Sequence, residues 1–138
     1  MKPVLLDTSV LVAVLDRAQD SHQRCVETLE LVASPLVTCE AVITETCYLL
    51  RNVRGAVDAV MQNIAAGMFH MPFRLSDSTR DVRRLLRKYS DLPAGLADAG
   101  LIHLAGELGT GDILTLDSDF RVYRWGGNKP FRLLIDPQ

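Results

Sequence analysis

Short apolar runs alternate along this chain with longer segments in which apolar residues recur every three or four positions, the pattern of buried strands exchanging with amphipathic helices. Val4-Leu5-Leu6 reads as a strand that passes directly into a helix over Thr8 to Leu15, with Asp7 or Thr8 at its N-cap. A second helix is expected from about Ser21 to Ala33, where Cys25, Val26, Leu29, Val32 and Ala33 share a face. Ser34-Pro35 ends it, and Leu36-Val37-Thr38 reads as the next strand. Helices follow from about Glu40 to Asn52, from Gly55 to Ala66 and from Asp77 to Tyr89, with Pro72 to Leu75 as a candidate strand between the last two. A further helix begins after Pro93 and Gly95 and stops at Gly109-Thr110-Gly111. Ile113-Leu114-Thr115 and Phe131 to Ile135 supply the last strands. Apolar strands alternating with helices predict an α/β protein, a three-layer α/β/α sandwich around a mostly parallel central sheet.

Composition narrows this without changing it. The 138 residues suit a single domain over 1–138, large enough to bury a core without disulfides. Cys25, Cys39 and Cys47 form no CxxC pair and lie in apolar sequence, so reduced, buried thiols are expected. No apolar stretch is long enough to cross a bilayer, and the N-terminus meets Asp7 too early for a signal peptide. The expectation is a cytoplasmic protein with no membrane partner. The net charge of −2 excludes a global basic field. The charges are unevenly spread, however. Six of the fifteen basic residues fall between Arg74 and Lys88, and none between Cys25 and Leu50.

Four acids stand where acids are costly. Glu45 has Ala41 and Val42 at i−4 and i−3, and Tyr48 and Leu49 at i+3 and i+4, which places it on an apolar helix face expected to meet the core. Asp98 repeats the pattern with Leu101, Ile102 and Ala105. Asp7 ends a strand, and Asp117 closely follows another. Strand C-termini border the crevice where open parallel sheets bind ligands. Each acid also has a plainer reading. Asp7 can be a helix N-cap, Asp98 can favour the positive end of its helix, Glu45 can pair with Arg51, and Asp117 with Asp119 can be turn residues.

Taken together, convergent carboxylates raise one another's pKa unless a cation is present. Oxygen-only donors suit Mg²⁺ or Mn²⁺ better than zinc. The histidines do not favour zinc: His22 is expected on an exposed helix, His70 in a connector, and His103 away from the face of Asp98. No Ser or Cys has a His at a spacing that suggests a nucleophile, and neither a P-loop nor a GxGxxG is present.

Leu6-Asp7-Thr8-Ser9-Val10-Leu11-Val12-Ala13 resembles the first motif of the PIN-domain family. Val42 to Leu50 around Glu45, Leu96-Ala97-Asp98-Ala99 with Leu101-Ile102, and Leu114 to Phe120 around Asp117 resemble the second, third and fourth, in the family's order and over nearly the whole chain. The size and lack of added domains resemble the VapC-like toxins of bacterial toxin–antitoxin pairs. That resemblance implies an Mg²⁺- or Mn²⁺-dependent endoribonuclease, often a homodimer, silenced by an antitoxin lying across its acidic groove. It makes Asp7, Glu45, Asp98 and Asp117 the metal-site and catalytic acids, with Asp7, Asp98 and Asp117 as direct ligands and Glu45 binding metal or orienting water. Ser9 is the supporting hydroxyl, and Asp119 is a turn or supporting residue.

An acidic site repels RNA, so basic residues nearby should hold the phosphates. Arg51, Arg54, Arg121 and Arg124 follow acidic motifs and are candidate RNA contacts. Arg80, Arg83, Arg84, Arg87 and Lys88 form one basic helix face, which is either a solvated surface or a further RNA contact. The rival readings are a PIN-like nuclease of RNA processing without an antitoxin and a non-catalytic PIN-like RNA-binding module. A phosphotransfer enzyme is disfavoured, because Ser9 stands where a dehalogenase-type motif needs a second Asp.

Overall fold

The computed structural model describes residues 2–136. The elements run β1 (Val4–Leu6), α1 (Thr8–Leu15), α2 (His22–Leu31), β2 (Leu36–Val37), α3 (Glu40–Leu49), α4 (Ala56–Ala65), β3 (Phe69–His70), α5 (Leu75–Lys88) and α6 (Leu96–Leu108). Then come β4 (Asp112–Leu114), a 3₁₀ turn (Ser118–Arg121), β5 (Arg124–Trp125), β6 (Lys129–Pro130) and β7 (Arg132–Leu133). The central sheet has the order β3-β2-β1-β4-β7 and is parallel throughout. Consecutive residues of β1 are all buried, so both faces of the sheet are covered and the α/β/α sandwich stands.

Strand β1 lies at the centre, and the chain leaves it first toward β2 and later returns on its other side as β4. In open parallel sheets such a reversal is where ligands bind, and here Asp7 directly follows β1 and Asp117 closely follows β4. The backbone is held closely there. The Asp7 amide donates to the Leu114 carbonyl at 3.0 Å, prolonging the β1–β4 ladder by one rung. Thr38 Oγ1 donates to the Leu6 carbonyl at 2.7 Å, fixing the end of β2 against β1.

Several boundaries differ from the sequence reading. The third strand is Phe69–His70, paired with Leu36 and Val37, and not Pro72 to Leu75. Proline has no amide to give a ladder, so the strand closes ahead of Pro72. Helix α5 instead begins at Leu75, with a non-helical Ser78 inside its first turns. Helix α2 ends at Leu31 and α3 at Leu49, both before the positions expected. The last sheet strand shrinks to Arg132–Leu133, and an antiparallel β5–β6 hairpin precedes it. Gly109, at φ 67°, closes α6 in the left-handed conformation that glycine adopts without a Cβ penalty.

The core closes around the site from the C-terminal side. Phe120 and Tyr123 are fully buried. Edge-to-face ring contacts join Tyr123 to Tyr89 and Phe120 at 4.9 Å, and Phe120 to Phe131 at 5.2 Å. Such pairs add to the area they bury. They pin the segment after β4, and with it Asp117, against α5 and β7.

Candidate active site

Asp7 leaves β1 as the N-cap of α1. Its carboxylate accepts from the Thr8 amide at 2.8 Å, from Thr115 Oγ1 at 2.6 Å and from Ser9 Oγ at 3.3 Å. Burial nonetheless pushes its pKa up to about 6, against those hydrogen bonds, with smaller contributions from Asp98 and Asp117. The capping role read from the sequence and the placement among other acids are therefore both present.

Asp98 sits half-buried in the first turn of α6. It accepts from the Gly95 amide at 3.1 Å, so the helix-terminus reading also holds. Burial raises its pKa, the Gly95 bond opposes this, and Asp117 and Asp119 raise it further. The Tyr123 phenol hydrogen-bonds it as well. That phenol is itself held far above its ordinary range by burial and by the surrounding carboxylates, so it stays a neutral donor.

Asp117 follows β4 and accepts the Asp119 amide at 2.9 Å, opening the 3₁₀ turn. The turn reading is correct for this pair, and the same turn aims Asp117 at the cluster. Ser9 is a bridge: it donates to Asp7 and accepts the Leu116 amide at 2.9 Å. Thr115, fully buried, ties the two strand ends together by donating to Asp7 and accepting the Asp117 amide at 3.0 Å. The sequence reading used Thr115 only as a strand residue and passed over Tyr123. A hydroxyl two residues before Asp117 was the available signal for the first.

Glu45 corrects an expectation. It is exposed, with Tyr48 at 63% and Leu49 at 50% exposure on the same side of α3. The buried residues of α3 are Val42, Ile43 and Thr46, continued by Leu50, so the helix carries two apolar stripes and Glu45 lies on the outer one. Partial burial still raises its pKa, and Asp98 and Asp117 add to the effect, which brings Glu45 within electrostatic reach of those two acids. It does not pair with Arg51, which stacks over the Tyr48 ring at 4.0 Å and donates to the Tyr48 carbonyl at 2.7 Å.

The remaining candidate cations are not drawn to the acids. Arg54 is exposed in the loop after α3. Arg121 pairs with Asp136 at 2.6 Å, and Arg124 donates to the carbonyls of Arg121, Val122 and Tyr123. Lysine and arginine are absent from the causes that shift Asp7, Glu45 and Asp98. The negative charge is thus uncompensated from within, which suits a divalent cation.

The donors are oxygens, matching Mg²⁺ or Mn²⁺. Among the described residues no three His, Cys, Asp or Glu side chains stand close enough together to hold a metal ion, so the match is one of donor chemistry and charge. The histidines lie elsewhere. His22 is half-buried against the Ala13 carbonyl, although an exposed position was expected. His70 lies in β3, and His103 faces Asp81 and Glu107. The thiol closest to the acids, Cys39, is pushed up by burial and by Asp7 and Asp98, so it stays protonated and is a poor nucleophile. A largely apolar cavity of about 490 Å³ lies apart, between α1, α2 and the β2–β3 edge, and no carboxylate lines it.

Comparison with known proteins matches this arrangement to a family. The family model described as PIN domain matches residues 4–126. Ribonuclease VapC26 of Mycobacterium tuberculosis (strain ATCC 25618 / H37Rv) is 33% identical over 117 residues, covering 83% of this chain and 86% of that protein. Among solved structures, the crystal structure of Mycobacterium tuberculosis VapC20, described as a Sarcin-Ricin loop cleaving toxin, shares the fold. Its TM-score is 0.78 at 17% identity, over 86% of this chain and 93% of that one.

Proposed function

Because this chain belongs to the PIN-domain family, we propose that it is a divalent-metal-dependent endoribonuclease, the toxin of a toxin–antitoxin pair, with Asp7, Glu45, Asp98 and Asp117 as its active site. One observation carries the assignment of residues. Asp7, Glu45 and Asp98, from three separate segments, are raised by burial first and then by neighbouring carboxylates, Asp117 acting on all three, with no basic side chain lowering them. A folded chain keeps such a repulsive group for a cation, and the presence of all four acids favours an enzyme over a binding module.

Asp7, Asp98 and Asp117 would hold Mg²⁺ or Mn²⁺, with Glu45 completing the site from the outer face of α3. When bound, the metal supplies Lewis-acid stabilisation of the phosphodiester and a more acidic water for its hydrolysis. The protein's own contribution is positioning. Ser9 and Thr115 fix Asp7, the Gly95 amide and Tyr123 fix Asp98, and the Asp119 amide fixes Asp117. Arg51, Arg54, Arg121 and Arg124 would contact the RNA phosphates. The antitoxin would place a basic side chain among the acids. Tyr48 and Leu49, exposed beside Glu45, offer apolar surface to it or to a second copy in a homodimer.

The test is cleavage of RNA by the purified chain with Mg²⁺ or Mn²⁺. Asp98→Asn keeps an oxygen for the Gly95 amide and removes one charge, so the fold persists while cleavage is lost. Undiminished cleavage by this variant sinks the assignment.

A further inference from the structure

The basic face of α5 lies outside the site described above. Arg80, Arg83, Arg84, Arg87 and Lys88 are all exposed, while Val82, Leu85 and Tyr89 bury the opposite side. These five residues alone line a shallow surface depression. Among the described residues none of them forms an ion pair, since Asp77 lies against Arg74 and Asp81 faces His103. Like charges stand four apart at Arg80 and Arg84, Arg83 and Arg87, and Arg84 and Lys88, a spacing that weakens a helix. The helix dipole favours Arg87 and Lys88 in the last turn but gives little to Arg80, Arg83 and Arg84. A face needed only for solubility would interleave acids and relieve this repulsion.

The stripe also leads toward the acids. Arg84 and Lys88 line a second depression together with Arg124 and Trp125, where Asp81 and Glu107 stand on either side of His103. The Arg124 amide donates to Tyr89 Oη at 2.9 Å, at the end of α5. Arg124 follows Tyr123, whose phenol reaches Asp98.

We propose that this stripe binds the phosphate backbone of the RNA substrate beyond the nucleotides being cut, so that the chain takes hold of a longer RNA than its acidic cluster spans. The inference rests on the ribonuclease reading. Guanidinium forks match phosphate oxygens, and four of the five cations are arginines. The row from Arg80 to Lys88 extends about 12 Å along one rigid helix, enough to follow several phosphates. It also offsets the repulsion that the four carboxylates exert on a polyanion.

The test titrates a labelled RNA hairpin with the full chain in EDTA, where metal-dependent cleavage is off. The triple variant Arg80→Gln/Arg83→Gln/Arg84→Gln is compared with wild type and with Arg17→Gln, which removes an exposed charge elsewhere. The triple variant should bind about tenfold more weakly or worse at low salt, and its log–log salt slope should fall by about two to three. Its Tm should hold or rise as like-charge repulsion is relieved, and Arg17→Gln should match wild type. Unchanged affinity and slope overturn the proposal, as does absence of wild-type RNA binding. Loss of binding to polyglutamic acid with RNA affinity intact also overturns it and assigns the face to an acidic protein. A chain that binds RNA through α5 yet cleaves none sinks the ribonuclease reading alone; one that cleaves RNA but ignores the substitutions sinks this inference alone.

Discussion

Asp7 shows how one carboxylate carries a structural and a chemical task at once. It caps α1 and accepts three donors, but burial outweighs them and lifts its pKa to about 6. The folded value lies above the unfolded one. Its contribution to stability is therefore fully present below about pH 4 and is lost as pH rises through 6. At neutral pH the charged form costs on the order of 3 kcal/mol in the metal-free protein. Asp7→Asn removes the charge and keeps an oxygen for the Thr8 amide. It should raise the metal-free Tm by several degrees at pH 7 and by almost nothing at pH 4. Thermal melts across this range check it, and a variant that loses stability at pH 7 would show that hydrogen bonding, not charge, dominates here.

At the scale of elements, the site depends on how closely α6 approaches the start of α3. A Cβ built on Gly100 would lie 2.9 Å from Cys39 Sγ, so glycine allows the two helices to pack. Asp98 is half a turn away on α6, and Cys39 is the N-cap of α3, which carries Glu45. Gly100→Ala should destabilise the fold by about 1–3 kcal/mol through overpacking. Adding Cys39→Ala should restore part of that loss, because the two side chains compete for one space. Chemical denaturation of both variants measures this, and additive losses would refute the contact. The same packing explains Glu45. Helix α3 buries Val42, Ile43 and Thr46 between its neighbours and turns its second apolar stripe outward beside the acids.

For the whole molecule, clustered charge should make stability depend on cations. Millimolar Mg²⁺ or Mn²⁺ should raise the wild-type Tm by linkage. The rise should be larger at pH 7.5 than at pH 5.5, where protons occupy Asp7, and smaller in Asp117→Asn. Melting curves that ignore both ions would count heavily against a shared cation site. An antitoxin is tested separately, by co-expression with the adjacent small reading frame. A stable complex that suppresses cleavage is expected; an active chain with no such partner would leave a PIN nuclease but end the toxin reading.

Much of this was legible in the chain itself. Strand and helix patterning indicated the α/β/α order, because short apolar runs alternating with segments of period three to four match buried strands exchanging with amphipathic helices. The placement of Asp7 and Asp117 at strand ends followed from the same runs. The tertiary structure decided what periodicity leaves open. Helix α3 has apolar residues on two faces, and only its neighbours determine which one is buried, so Glu45 was assigned to the wrong side. The third strand was displaced because pairing with Leu36 and Val37 selects Phe69–His70, a choice made by a partner more than thirty residues away. Thr115 and Tyr123 gained their roles the same way. Their hydroxyls reach carboxylates distant in sequence, and beyond the spacing of Thr115 to Asp117 such cross-chain contacts leave no local signature.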